Sequence, residues 1–349
     1  MEELREKVMA VRTCKLVDHN VLTNILLYIF QLAYAFPISI LYLLVIFTIL
    51  NKHRTERSFS DVYFRIYVLD GFVSLIVVIL DFGLTRPLIY VNPICDTFLS
   101  AFPEPTYWLT PYLFFFNFFQ FAKIFSISLM SANRYTCLAH PVFHKLFWRK
   151  HTRHAITVTL IAPIFCTWQL AISPTRLDVY NGEALLGYEK VVPFVRTTAF
   201  KLVVSLVAFV FLLFTNMKTY RVIRGKSSLK KLEDPLTLST IVMSAVFVVY
   251  IIIQAILLIF STTFLVENMV FGSFLKKFEF VCNDFYLMSS PIVLLIINKR
   301  LRTSIFRVSP AVPRNSSNTH ISSTKAFQTV RPITKSPSAK TLDSNVARF

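Results

Sequence analysis

Seven runs of roughly twenty apolar residues recur along the chain, at about 25–50, 62–82, 107–131, 155–173, 196–217, 238–262 and 279–297. A hydrocarbon core about 30 Å thick is crossed by roughly 20 residues of α-helix, and the helix satisfies all of its backbone hydrogen bonds within one segment of chain. The pattern predicts an all-α membrane protein, a seven-transmembrane helix bundle. Only 16% of the residues are charged against 54% hydrophobic, where a soluble domain carries about 25% charged residues. Runs two and five are interrupted by charge, Arg65 and Asp70 in the second and Arg196 and Lys201 in the first turns of the fifth, yet each keeps enough apolar length to span.

Lys and Arg set the expected orientation. The odd-numbered connectors hold fourteen of them and the even-numbered connectors six, counting Arg86 in the second. Cytosolic connectors carry the excess, so the N-terminus is expected outside and the C-terminus in the cytosol. The first residues are polar and mixed in charge, with no cleavable leader, which makes run one the expected signal anchor. Three regions result: an extracellular segment 1–24, the bundle at 25–306 ending in a short amphipathic helix over NKRLRTSIF, and a cytosolic tail at 307–349 rich in Ser, Thr, Pro and Asn, which reads as disordered. A net charge of +18 on a soluble domain would suggest nucleic acid. Here the basic residues sit in short connectors and the tail, so membrane lipid is the expected partner and nucleic acid is not.

Of five cysteines, Cys166 and Cys282 fall inside runs and Cys137 on the cytosolic side, which leaves Cys14 and Cys95 in an oxidising compartment. One exterior disulfide is available to that pair; two free thiols are the alternative.

Ionisable groups inside a bilayer are functional candidates by default. Lys123 precedes Arg134 by eleven residues, about 16 Å of helix, and so sits near mid-membrane. Its expected partner is Asp70, Asp81 or Asp284, in a structural ion pair or beside a ligand. Asn117 and Gln120 share its helix, while Gln254 and Asn283 lie at comparable depth. Lys123, Asn117, Gln120, Asp70, Gln254 and Asp284 are the candidate ligand-binding residues, a few polar groups among aromatics. The run YLFFFNFFQF reads as lipid-facing and packing surface. No cofactor or metal is expected: His140, His144, His151 and His154 form one cluster with no carboxylate beside it and no second set. Run seven has lysines only at its outer mouth, which argues against a retinal Schiff base. The chain is not expected to be an enzyme.

Run three closes on Asn133-Arg134-Tyr135. Taken alone, Arg134 is either a snorkelling anchor or the working end of a device that reports across the bilayer. Run seven carries Ser289-Ser290-Pro291, and proline frees a backbone carbonyl there. Seven spans, this NRY element and a Ser-Pro span followed by a basic amphipathic turn resemble the G-protein-coupled receptor superfamily. FRIYVLDGFVSLIVVILDFGLTRPLIYV, KIFSISLMSANRY, HPVFHKLFW and YEKVVPF are together similar to the nematode serpentine receptor class gamma, a chemosensory family, over about 25–306.

That resemblance implies a receptor in the plasma membrane of chemosensory neurons, with an external small-molecule ligand and a heterotrimeric G protein as partner. It places Asn133, Arg134 and Tyr135 at the G-protein-facing end, where the basic fifth connector, with Arg221 and Arg224, is expected to meet a Gα subunit. Asn133 stands where the superfamily has an acid, so an arginine–acid lock is not expected. Asp70 resembles the acidic residue of span two, and Pro291 the span-seven proline. A polytopic transporter is the alternative, although the halves show no repeat and six glycines leave few points for broken helices.

Overall fold

A computed structural model of the chain describes residues 21–52, 62–102, 105–180, 183–192, 197–225, 230–263 and 269–306. The sequence expectations for Cys14, for residues up to 20 and for the tail from 307 lie outside these residues. Seven helices are long and apolar enough to cross a membrane. They are α1 (Val21–Lys52), α2 (Val62–Leu80) with its continuation α3 (Arg86–Tyr90), α5 (Thr110–Ala139), α6 (Pro141–Ala171), α7 (Thr197–Gly225), α8 (Lys230–Thr263) and α9 (Met269–Ile297). Between them lie α4 (Asn92–Ala101) and a hairpin of β1 (Thr175–Tyr180) and β2 (Glu183–Tyr188); α10 (Lys299–Phe306) follows α9.

The helices outrun the apolar runs, because intrahelical hydrogen bonding does not stop where hydropathy falls. The largest difference falls after run three. Pro141, which fits the first helical turn but has no N–H to continue the preceding helix, splits α5 from α6 with only His140 between them. Lys145, Arg149, Lys150 and Arg153, expected in a connector, are therefore on the first turns of α6. Apolar side chains cover the outward faces: Phe30, Phe36 and Phe47 on α1 and Val203, Val207 and Val210 on α7 are all exposed, as lipid-facing positions require.

Arg86 is the main correction to the loop assignments. It does not belong to a connector but to the helical continuation of span two, and it is fully buried. A five-residue π turn, Asp81–Thr85, joins α2 to α3. In a regular α-helix two residues five apart point about 140° away from one another; hydrogen bonding from i to i+5 in the π turn brings Asp81 and Arg86 to one side. The carbonyls this disturbs find side-chain donors, as lipid demands: Tyr112 Oη donates to the Leu80 carbonyl (2.8 Å) and Tyr28 Oη to that of Phe82 (2.8 Å).

The hairpin is the one non-helical element among the described residues. Its strands pair antiparallel from Thr175↔Tyr188 to Tyr180↔Glu183. Leu177 and Ala184 pack with Leu88, Cys95 and Leu99 in a small core of their own. Cys95 is buried and disulfide-bonded, while Cys137, Cys166 and Cys282 take part in no disulfide. Thr175 also exchanges two 2.8 Å backbone hydrogen bonds with Thr106, which ties β1 to the entrance of α5. At the opposite end of the bundle, Asn298 Oδ1 caps α10 by accepting from the Leu301 N–H (3.1 Å), and Leu301 is fully buried.

Gly71 sets the distance between α1 and α2. A Cβ there would lie 2.8 Å from Ile46 Cδ1 and 2.9 Å from Tyr42 Cε1. Gly71→Leu is expected to lower stability by about 1–3 kcal/mol, read as an earlier thermal unfolding transition of the purified protein; an unchanged transition would show that the two helices have room to separate.

Candidate functional site

Three polar assemblies lie along the bundle between the hairpin and Arg134. Nearest the hairpin, Arg86 Nε donates to Asp81 Oδ2 (2.9 Å), Nη2 to Asp284 Oδ1 (2.5 Å) and Nη1 to both Asp284 Oδ2 (3.0 Å) and Gln31 Oε1 (2.8 Å). Tyr34 Oη adds a hydrogen bond to Asp284, and the guanidinium lies 3.9 Å over the Phe82 ring. This assembly binds α1, α2, α3 and α9 together.

The second assembly is at mid-depth. Lys123 Nζ meets Asp70 Oδ2 at 2.7 Å with both side chains fully buried, and Ser126 Oγ donates to Asp70 Oδ1 at 2.5 Å. Of the three carboxylates expected as partners of Lys123, Asp70 is the one it takes. Asp81 and Asp284 belong to Arg86.

Beside the first assembly, a cavity of about 500 Å³ opens between the ends of α2, α5, α7, α8 and α9, bordered by Leu185, Leu186, Gly187 and Tyr188 of the hairpin. Tyr188 Oη accepts from both the N–H and the Oγ1 of Thr197 (2.9 Å each), which fastens β2 to the first turn of α7. Two ordered contacts stand inside. Glu279 accepts from Lys276 Nζ at 2.5 Å and from Gln254 Nε2 at 2.6 Å, and Lys201 Nζ donates to Gln120 Oε1 while lying 5.5 Å over the Tyr250 ring. The mixture of an aromatic wall with a few fixed polar groups, at this volume, is that of a small-molecule site.

The third assembly is at the far end of α5. Arg134 is only 3% exposed, and its guanidinium stacks 3.8 Å over the Tyr63 ring. Among the described residues its Nε and Nη2 have no hydrogen-bond partner, and neither has Asn133 Nδ2. A snorkelling anchor would reach for water; this arginine is folded inward. Tyr135 is half-buried against His140, and Arg221 and Arg224 are exposed on the last turns of α7.

Residues 28–305 match the family model described as Srg family chemoreceptor. The chain belongs to that family. Among its curated relatives from Caenorhabditis elegans, serpentine receptor class gamma-4 is 30% identical over 305 residues, covering 86% of this chain and 94% of the relative. Serpentine receptor class gamma-15 is 29% identical over 287 residues (80% and 86%) and class gamma-11 25% identical over 291 (83% and 84%). Seven membrane-crossing helices and this membership make it a multi-pass membrane protein of receptor type.

The Srg cavity does not gather all the residues expected of it. Asn117, Gln120 and Gln254 line it, with Asn283; Asp70, Lys123 and Asp284 do not, because each is consumed by an ion pair within the helix bundle. Asn117 bonds back to the Leu113 carbonyl (2.9 Å). The aromatic run divides: Phe115 faces outward, whereas Tyr112 and Phe116 reach the cavity. Lys201, Glu279, Lys276 and Asp81 line it without having been singled out for it. Lys201 carried the signal, a cation inside an apolar run, but as an interruption of run five it weakened the span rather than marking a site.

Breaking the Asp70–Lys123 pair from one side strands a buried charge. Lys123→Met or Asp70→Leu alone is expected to cost this Srg protein about 3–5 kcal/mol, whereas the double substitution should return to within about 1 kcal/mol of wild type. Additive single effects in that cycle, read by thermal unfolding in nanodiscs, would show that the two residues do not stabilise one another.

Proposed function

We propose that the protein is a G-protein-coupled chemoreceptor for an external small molecule, with the hairpin and cavity outside the cell and the Arg134 end in the cytosol of a chemosensory neuron. The contact series from cavity to Arg134 carries this reading. Tyr250, in the cavity wall, stacks on Tyr286 with centroids 4.7 Å apart; Tyr286 lies under Lys123 (5.8 Å), which holds Asp70. Tyr42 Oη donates to Asp70 at 3.4 Å and its ring stacks on Tyr67 (6.4 Å), which neighbours Tyr63 (6.4 Å), the ring beneath Arg134.

Along this series the hydroxyls of Tyr286, Tyr67 and Tyr63, with Ser239 and Ser290 Oγ, have no partner in bonding geometry among the described residues. Each costs about 1–3 kcal/mol when buried, so an arrangement that supplies partners is close in energy. A ligand that holds Tyr250 and α8 in one packing biases the bundle toward it. Arg134 then leaves Tyr63, and its free N–H groups receive acceptors from a Gα segment, with Arg221 and Arg224 adding positive charge at the same end. The buried disulfide of Cys95 fits Cys14 as its partner, fixing the N-terminal segment to the hairpin core.

Nucleotide exchange on a panel of Gα subunits, driven by the purified chain in nanodiscs with small polar and volatile compounds, tests the proposal. A compound should stimulate exchange in wild type. Arg134→Ala should abolish the response, and Tyr286→Leu should reduce it roughly tenfold while ligand binding persists. Solute flux across liposomes without any exchange would instead make the bundle a transporter.

A further inference from the structure

Ionisable side chains that face the cavity mostly have their counter-charge in hand. Asp81 holds Arg86, Glu279 holds Lys276 with Gln254 on its second oxygen, and Asp178 holds Arg176 at 3.0 Å. Lys201 is different. Its ammonium is held by a neutral oxygen, Gln120 Oε1, and over the Tyr250 ring, and among the described residues no carboxylate lies within 4 Å of it. Neighbouring Val203 and Val207 point outward, so Lys201 is aimed into the bundle and not at lipid head groups. Gln120 positions the charge without neutralising it; Glu279 acts on it from beyond ion-pair distance and has its two oxygens bonded to Lys276 and Gln254, and a half-buried cation attracts an anion more strongly than an exposed one does.

We infer that Lys201 is the receiving group for the carboxylate of a small amphiphilic acid. This inference rests on reading the cavity as a ligand site and names the chemistry of what it takes. A lone ammonium matches a single negative charge; phosphate is the usual guest of forked arginine donors, and no arginine lines the cavity among the described residues. Phe116 and Phe280 offer the acid's carbon skeleton an apolar wall. Lys190, exposed at the rim, adds positive potential where an anion would enter.

The full chain in nanodiscs is compared with Lys201→Met and Lys201→Arg. Lys201→Met is expected to leave the fold intact, with a ligand-free melting temperature within a few degrees of wild type. Short- and medium-chain alkanoic and aryl-alkanoic acids are then set against their own primary amides in a binding assay. The acids should bind roughly tenfold or more tightly than the amides; Lys201→Met should erase that preference and Lys201→Arg keep it. Equal binding of acids and amides overturns the inference, as does an acid affinity that Lys201→Met leaves unchanged, or no binding by any acid up to millimolar concentration. Lys201-dependent acid binding that stimulates no Gα would sustain the anion site while sinking the receptor reading. Exchange driven equally in wild type and Lys201→Met by a neutral compound would do the reverse.

Discussion

An arginine has no neutral form to adopt in lipid, so Arg86 must be surrounded by its counter-charges before the bundle can close over it. It obtains one carboxylate from five residues earlier in its own helix and another from α9, and it takes an amide from α1. Those choices fix much else. The π turn exists where Asp81 and Arg86 have to share a side, Tyr28 and Tyr112 are committed to the carbonyls it disturbs, and the short α3 carries Leu88 into the small core under the hairpin. One wall of the cavity is thus the back of an ion cluster.

The three polar assemblies differ in how completely they are satisfied. Around Lys123 one ammonium meets one carboxylate, and around Arg86 every guanidinium nitrogen is hydrogen-bonded to one of two carboxylates or to an amide, which in a low-dielectric interior gives a firm and specific arrangement. Around Arg134 the guanidinium has an aromatic ring but two idle N–H positions, and Asn133 supplies no opposing charge. The molecule is therefore well determined at the hairpin end and less so at the other, with stacked tyrosines between. A bundle of uniform firmness would have only one state to offer.

The gross plan was legible in the sequence because hydropathy registers length, and length decides whether a helix can cross a bilayer. Seven spans, the NRY element and the Lys123–carboxylate pairing were all accessible that way, although three carboxylates qualified and only helix facing could choose Asp70. Arg86 was hidden for a physical reason: charge counting sorts residues into spans and loops, and a fully paired arginine behaves as neither. The hairpin was hidden behind span-counting, since a two-stranded ribbon leaves little trace in a hydropathy window. The split between cavity and core among Asn117, Gln120 and Lys123 depends on which side of α5 each occupies, and depth alone does not give that.

The π turn also accommodates one residue more than a regular α-helix would hold at this place. If the stretch wound as a regular α-helix at unchanged length, Asp81 and Arg86 would stand about 140° apart. Arg86 would then leave Asp81 and Asp284, Leu88 would leave the hairpin core, and Tyr90 would leave Gln31. Removing one residue between Asp81 and Arg86 would instead set them four apart, about 40° in a regular helix, and restore the shared side. The register of span two, more than the identity of any residue within the turn, is what this end of the receptor has to preserve.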